Sequence, residues 1–187
     1  MMKTSYSVAF FVTFIIILYS CDNSPRLIQE VKDLNGRVIE FPKYEILAYD
    51  SILIQKNNCN SNDIKLVSYL DNVPCSPCIF NMLQNRVQEV KKELGDDFPY
   101  IIVLQVDDRQ ELLNAIRKFR FQTPVIYYED NRFSDVNDLH ILARNKTFLL
   151  NSDNKIMVMG EPFGNKKLWT VYKTAINQLK KEKNSNR

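Results

Sequence analysis

Apolar and polar residues follow two different periods along this chain, and these periods predict strands and helices in alternation. Five apolar runs have the length of strands, at 64–70, 100–106, 125–128, 147–150 and 155–159. Apolar residues at helical spacing fill four further stretches, at 77–94, 108–119, 135–142 and 165–179. This alternation predicts an α/β fold in which a central mixed β-sheet is flanked by helices.

Local signals mark the ends of these predicted elements. Pro77 falls in the first turn of a helix, where its missing N–H leaves no hydrogen bond unmade, and Gly95 suits the position after the last turn. Asp108 and Glu111 have the spacing of a capping box. The polar residues 151–154 predict a turn between two antiparallel strands.

The pattern is weaker before residue 64. Arg37–Phe41 and Ser51–Gln55 are predicted as short strands, either as a hairpin or as an addition to a sheet edge. The polar stretch Asn57–Asp63 is predicted as a loop that carries Cys59. Together these segments predict an N-terminal β extension to the main sheet.

The N-terminal residues 1–19 have the features of a targeting segment. Lys3 precedes an apolar stretch at 8–18, which suits a signal peptide and is short for a membrane span. Residues 18–21 resemble a bacterial lipobox, which implies cleavage before Cys21 and lipidation of that cysteine. An uncleaved anchor helix is the alternative. Either predicts a domain in the cell envelope, facing the periplasm or the exterior, where disulfides persist.

These signals predict the domain organisation of the 187-residue chain. A signal peptide is expected at 1–20, a tether at 21–36, one domain at 37–180 with its core from residue 64, and a polar tail at 181–187. Hydrophobic residues make up 45% and charged residues 25%, which is ordinary for a globular domain. The net charge of +3 gives no indication of a nucleic-acid partner.

Two cysteines, Cys75 and Cys78, lie at the junction between a predicted strand and a predicted helix. On the first turn of a helix their spacing permits a tight disulfide ring, and the positive end of the helix dipole favours a thiolate. A thiolate that attacks a disulfide, with a neighbouring thiol that resolves the mixed disulfide, makes an exchange site. The motif therefore predicts redox chemistry.

The motif has two other interpretations. A zinc site would need four ligands, which could only come from Cys59, Cys75, Cys78 and His140, the single histidine. A purely structural disulfide would close a ring of four residues and remove little chain entropy. Neither explains the position of the motif before a helix, so no metal and no cofactor is predicted. Cys59 is interpreted as a loop cysteine, with exchange with Cys75 as the alternative.

With this order of elements, the motif resembles the thioredoxin superfamily, in particular the TlpA-like thiol-disulfide oxidoreductases of the bacterial envelope. The likeness covers residues 64–179. Lys146–Ile156 resembles the family's strand–turn–strand block, and Val125–Leu142 resembles its inserted βα unit. The resemblance implies a thioredoxin-like fold. It also implies that Cys75 is the attacking thiolate and that Cys78 is the resolving thiol, tucked behind it.

Three positions depart from the family pattern. Asn145 stands where the family has a cis-proline, Pro74 replaces a tryptophan, and Tyr69 lies near the place of a buried acid. A cis bond before a non-proline residue would cost about 2.5–4 kcal/mol, so a trans bond is expected at Asn145. The resemblance implies a substrate groove with five lining residues, Pro74, Ser76, Pro77, Asn145 and Lys146.

The predicted function is that of an envelope-anchored thiol-disulfide oxidoreductase, and Pro77 resembles the motif of its reducing members. Its partners would be protein thiols or disulfides of the envelope, a recycling protein and, through the lipid anchor, a membrane. The alternative is a binding or scaffold lipoprotein of the same fold whose dithiol does not cycle, because a fold does not determine a function. Copper delivery is a third hypothesis, which needs the two cysteines and a well-placed histidine as soft ligands.

Overall fold

The computed structural model describes only part of the chain. The described residues are 34–49, 52–53, 63–71, 74, 76–139 and 146–185, with the backbone alone at 52–53. The chain divides into two units, residues 1–34 and residues 35–187. All elements described below belong to the second unit.

Seven strands are present in the described residues: β1 Glu45–Leu47, β2 Ile52–Leu53, β3 Lys65–Leu70, β4 Tyr100–Gln105, β5 Val125–Tyr128, β6 Thr147–Leu150 and β7 Ile156–Met159. The helices of this unit are α1 Pro77–Leu94, α2 Arg109–Lys118, α3 Arg132–Val136 and α4 Lys166–Ser185. The strands form one sheet in the order β2-β1-β5-β4-β3-β6-β7.

The sheet is mixed. Strands β3, β4 and β5 are parallel to one another, while β1 and β6 pair antiparallel to β5 and β3 on either side. The parallel strands are almost fully buried, as expected where both faces of a sheet are covered. The predicted α/β fold with a central mixed sheet is confirmed.

One face of the sheet is covered by α1, α2 and α4. Phe80 and Leu83 of α1 pack with Leu112 and Ile116 of α2 in one buried cluster. Trp169, Tyr172 and Ile176 of α4 pack with Leu66 and Leu149 of the sheet in a second cluster. The two successive crossovers from β3 to β4 and from β4 to β5 step in the same direction across the sheet, which keeps α1 and α2 on one face.

The other face is covered by α3 and the segment before β1. The ring of Phe133 lies 5.1 Å from that of Tyr69, 5.4 Å from Tyr128 and 5.5 Å from Phe41, measured between centroids. The buried Asn137 amide donates to the Glu40 carbonyl at 2.8 Å and accepts from the Glu40 N–H at 2.8 Å. These contacts fix the short helix beneath the end of β3.

Three expectations differ from the structure, and a fourth, the strand at Ser51–Gln55, is confirmed at residues 52–53, which pair antiparallel with β1. Arg37–Phe41 is not a strand, because only Val38 forms a bridge, to Lys155, and the N-terminal strand that pairs with β5 is β1. Of Ser51–Gln55, only β2 is described. The helix predicted at 135–142 is α3, which starts at Arg132 and ends before the left-handed Asp138 (φ 51°). The expected polar tail is helical as far as Ser185.

Candidate functional site

The site is built at the end of β3, where the chain turns into α1. The helix begins at Pro77, and Ser76 precedes it with extended backbone angles (φ −104°, ψ 156°). The Ser76 carbonyl accepts from the N–H groups of Ile79 and Phe80 at 3.2 and 3.3 Å. At the other end, Gly95 adopts φ 103° and donates to the Lys91 carbonyl at 2.9 Å. The predicted limits of this helix are therefore confirmed, with Cys75 outside the described residues.

Cys78 is the second residue of α1, and its side chain is exposed. The expectation that this thiol is tucked behind the motif is wrong for the structure described. The reason is the helical period: Phe80 and Leu83 face the core, which turns Cys78 and Asn81 towards solvent. The Cys78 thiol is thus accessible to a reagent or a protein partner.

The residues expected to line a groove differ in exposure. Pro74 and Pro77 are exposed, and Ser76 is half-buried, with its N–H donating to the Pro74 carbonyl at 2.7 Å. Lys146 has only 12% of its side chain exposed. Asn145 lies outside the described residues. Four of the five predicted groove residues are therefore described, and three of them belong to the motif segment.

Lys146 forms an ion pair with Asp71 at the end of β3. Its ammonium nitrogen also lies 5.2 Å from the centroid of the Tyr69 ring, a cation–π distance. Its backbone carbonyl accepts from the Tyr69 N–H at 2.8 Å. The two residues are 75 positions apart, so no local sequence pattern indicated the pairing or its location.

Tyr69 occupies the place where the family resemblance implies a buried acid. It is 3% exposed, and its hydroxyl donates to Oε1 of the buried Gln105 at 2.8 Å. Burial, followed by the negative charge of Asp71, raises the pKa of Tyr69 to about 12. Gln105 was missed by the sequence analysis, although a polar residue that ends an apolar strand is a signal that could have identified it.

No protein-family model and no curated protein matches the chain. Solved structures resemble it. One, described as a candidate thiol:disulfide interchange protein DsbE from Chlorobium tepidum, has a TM-score of 0.53 and 10% identity over 76% of this chain and 97% of its own. Another, described as a candidate thiol-disulfide oxidoreductase from Bacteroides vulgatus, has a TM-score of 0.56 and 15% identity over 79% of this chain and 98% of its own. The chain has a thioredoxin-like fold.

The raised pKa of the buried Tyr69 should make the stability of the protein depend on pH. Because the native pKa is raised above the ordinary 10.0, the folded protein holds the phenol proton more tightly than the unfolded chain. This stabilisation is complete below about pH 10 and is lost as the pH rises through about 12. The urea midpoint of the native chain should fall across this window, and that of Tyr69→Phe should fall less. Parallel curves for the two proteins would contradict the assignment.

Side chains that could ligate a metal ion do not cluster in the part of the chain that the structure describes. Within the described ranges, no three Asp, Glu, His or Cys side chains converge to hold a metal ion. Cys59, Cys75 and His140, which the zinc and copper hypotheses require, lie outside those ranges.

The predicted targeting segment at 1–19 and the predicted lipidation site Cys21 also lie outside the described residues. In the part of the chain that the structure does describe, no helix has both the length and the apolar character needed to cross a bilayer.

Proposed function

We propose that this protein is an envelope-anchored thiol-disulfide oxidoreductase of the reductase type, in which Cys75 and Cys78 form the reacting dithiol. The observation that carries the proposal is the start of α1. A Cys-Ser-Pro-Cys sequence leads from the end of a parallel strand into the first turn of an 18-residue helix within a thioredoxin-like fold. The two solved structures that support this fold are both described as candidate thiol-disulfide exchange proteins.

The proposed reaction transfers two electrons from the dithiol to a substrate disulfide. The Cys75 thiolate attacks one substrate sulfur, the substrate S–S bond breaks, and the second substrate sulfur leaves as a thiolate that takes up a proton. The Cys78 thiolate then attacks Cys75 in the mixed disulfide and releases the first substrate sulfur, which is protonated in turn. The protein is left with a Cys75–Cys78 disulfide, and an external dithiol protein must reduce it before the next cycle.

Two features of the described residues suit this chemistry. The N-terminus of α1 carries the partial positive charge of the helix dipole and has no acidic residue in its first turn, which favours a thiolate there. The side chain of Cys78 is exposed, so a protein substrate as large as a folded domain can approach the motif from solvent. Protein disulfides, rather than a small molecule in an enclosed cavity, are therefore the proposed substrates.

The proposed location is the bacterial cell envelope, with a lipid on Cys21 as the anchor. The 21–36 segment would act as a tether between the membrane and the folded domain. Such a tether would keep the domain near membrane-bound recycling partners and envelope substrates, because it raises their effective concentration.

The deciding experiment is the reduction potential of the Cys75–Cys78 couple, measured by equilibration against glutathione and dithiothreitol and read by thiol alkylation. A reversible couple between about −120 and −270 mV supports a working exchange protein. A potential well below about −300 mV, or no disulfide at all, would contradict the proposal. The scaffold function, with a dithiol that does not cycle, would then be favoured.

A further inference from the structure

A cleft of about 360 Å³ lies between α1 and the connection from α2 to β5. Two cations line it, Lys91 of α1 and Arg120 of the connection. Four side-chain amides line it as well: Gln84, Asn85, Gln88 and Gln122. No acidic side chain is among the described residues that form its walls. The cleft is therefore cationic and rich in groups that can both donate and accept hydrogen bonds.

The positive charge of this cleft is not neutralised by neighbouring carboxylates. Arg117 and Lys118, in the last turn of α2, add two cations close to Arg120. In the described part of the chain, none of these three residues forms an ion pair, and neither does Lys91. The concave surface therefore carries charge of one sign, which attracts a ligand of the opposite sign.

Arg120 has a backbone conformation that favours glycine. Its φ is 50°, and its N–H donates to the Arg117 carbonyl at 3.1 Å, while the Phe121 N–H donates to the Ile116 carbonyl at 3.0 Å. Glycine is the usual residue at this point of a helix end, because a residue with a Cβ is strained there. The helix dipole favours cations in the last turn, but it gives no reason for a cation at a left-handed position. Arg120 thus occupies a position where glycine would be more stable.

The side-chain amides indicate which kind of anion fits the cleft. Gln84 and Gln122 each donate to a carbonyl of the connection, those of Phe119 and Arg120, at 3.5 and 3.3 Å. Such amides can also pair with the N–H and C=O groups of an extended peptide, while ammonium and guanidinium groups bind carboxylates. A membrane surface would use the charges alone and leave the amides without a role. The combination therefore favours a peptide that carries acidic side chains.

We infer that this cleft binds an acidic peptide segment of a partner protein. Lys91 and Arg120 pair with the carboxylates of the segment, and the side-chain amides of the cleft pair with its backbone. The inference goes beyond the proposed function, because no residue of the Cys-Ser-Pro-Cys motif lines the cleft. It gives the protein a contact with a partner that does not require the dithiol.

The test is fluorescence anisotropy with the full chain in a nonionic detergent. The probe is a fluorescein-labelled hexapeptide of alternating glutamate and glycine, and the control probe has glutamine in place of glutamate. Arg120→Gly should weaken binding about two- to fivefold and Lys91→Gln by a similar factor. Arg120→Gly should at the same time raise the urea midpoint, because it relieves the strain at φ 50°. The loss of binding is then not a loss of folding.

Two further variants show whether the cleft itself binds the peptide. Gln88→Ala leaves the charge unchanged and should weaken binding about twofold or more, because it removes a hydrogen-bonding group. Lys167→Gln is the matched control. Lys167 is exposed at the start of α4 and forms no ion pair within the described residues, so its removal should leave binding of the peptide unchanged.

Selective binding of the glutamate peptide, weakened in the cleft variants and kept in Lys167→Gln, supports the inference. Equal weakening in Lys167→Gln would overturn it, because the attraction would then be unspecific. Equal binding of the glutamine peptide, or no binding at about 1 mM, would overturn it too. Binding to phosphatidylglycerol vesicles that depends on Lys91 and Arg120, without peptide binding, would overturn it in favour of a lipid. No outcome depends on whether the dithiol cycles.

Discussion

Cys75→Ser should reduce the rate of insulin disulfide reduction by at least about 100-fold, to the background given by dithiothreitol alone. The reason is chemical. A serine hydroxyl is not ionised near neutral pH and cannot form the disulfide that completes the cycle. A cysteine thiol before a helix can ionise to attack the substrate and can then form that disulfide. The measurement is the initial rate of insulin precipitation at a fixed dithiothreitol concentration.

Two further variants show whether the loss of activity reflects the attack by Cys75 itself. Cys78→Ala should retain the first attack and accumulate a mixed disulfide through Cys75, visible as a mass adduct that dithiothreitol removes. Cys59→Ser should keep the native rate, because Cys59 is interpreted as a loop cysteine outside the reaction. Native activity in Cys75→Ser, or trapping through Cys59 instead of Cys75, would sink the proposed roles.

Much of the fold could be predicted because each long element carries its own signal. The apolar run of β4 is buried almost throughout, and the residues of α1 that reach the core recur at helical spacing. Asp108 caps α2 by accepting from the N–H groups of Gln110 and Glu111 at 2.8 and 2.9 Å, as the sequence predicted. Such signals come from residues that are close in the sequence, so they predict these elements without any knowledge of tertiary contacts.

The errors fall where tertiary contacts decide the structure. Strand β1 has three residues, of which only Leu47 is buried, and its place comes from pairing with β5. The start of α3 is determined by Phe133, which packs against Tyr69 and Tyr128. Neither element is long enough for a periodic pattern to appear in the sequence.

The candidate site likewise contains features that local sequence signals predict and features that tertiary contacts decide. Pro77 and the spacing of the apolar residues predicted where α1 begins, because both act within the helix. The contact between Asp71 and Lys146 joins residues 75 positions apart, and no local pattern encodes it. The exposure of Cys78 likewise depends on which face of α1 meets the sheet, so the family resemblance gave the wrong expectation there.

Phe80→Ala should lower the free energy of unfolding by about 3–5 kcal/mol, a large part of the stability of a domain of this size. Phe80 is 1% exposed, and its ring stacks on Phe119 at 5.1 Å and meets Phe121 edge-on at 5.6 Å. Truncation removes the buried ring and leaves a cavity beneath the first turn of α1 that the neighbouring rings cannot fill. Urea unfolding followed by circular dichroism measures the loss.

Two control variants distinguish the stability lost with the packing of Phe80 from the effect that any substitution has on stability. Phe80→Leu keeps most of the buried volume and should cost less than about half as much. Val171→Ala, at a half-exposed position on α4, should change stability by no more than about 0.5 kcal/mol. A loss below about 1 kcal/mol in Phe80→Ala would show that this ring does not anchor the helix that carries the motif.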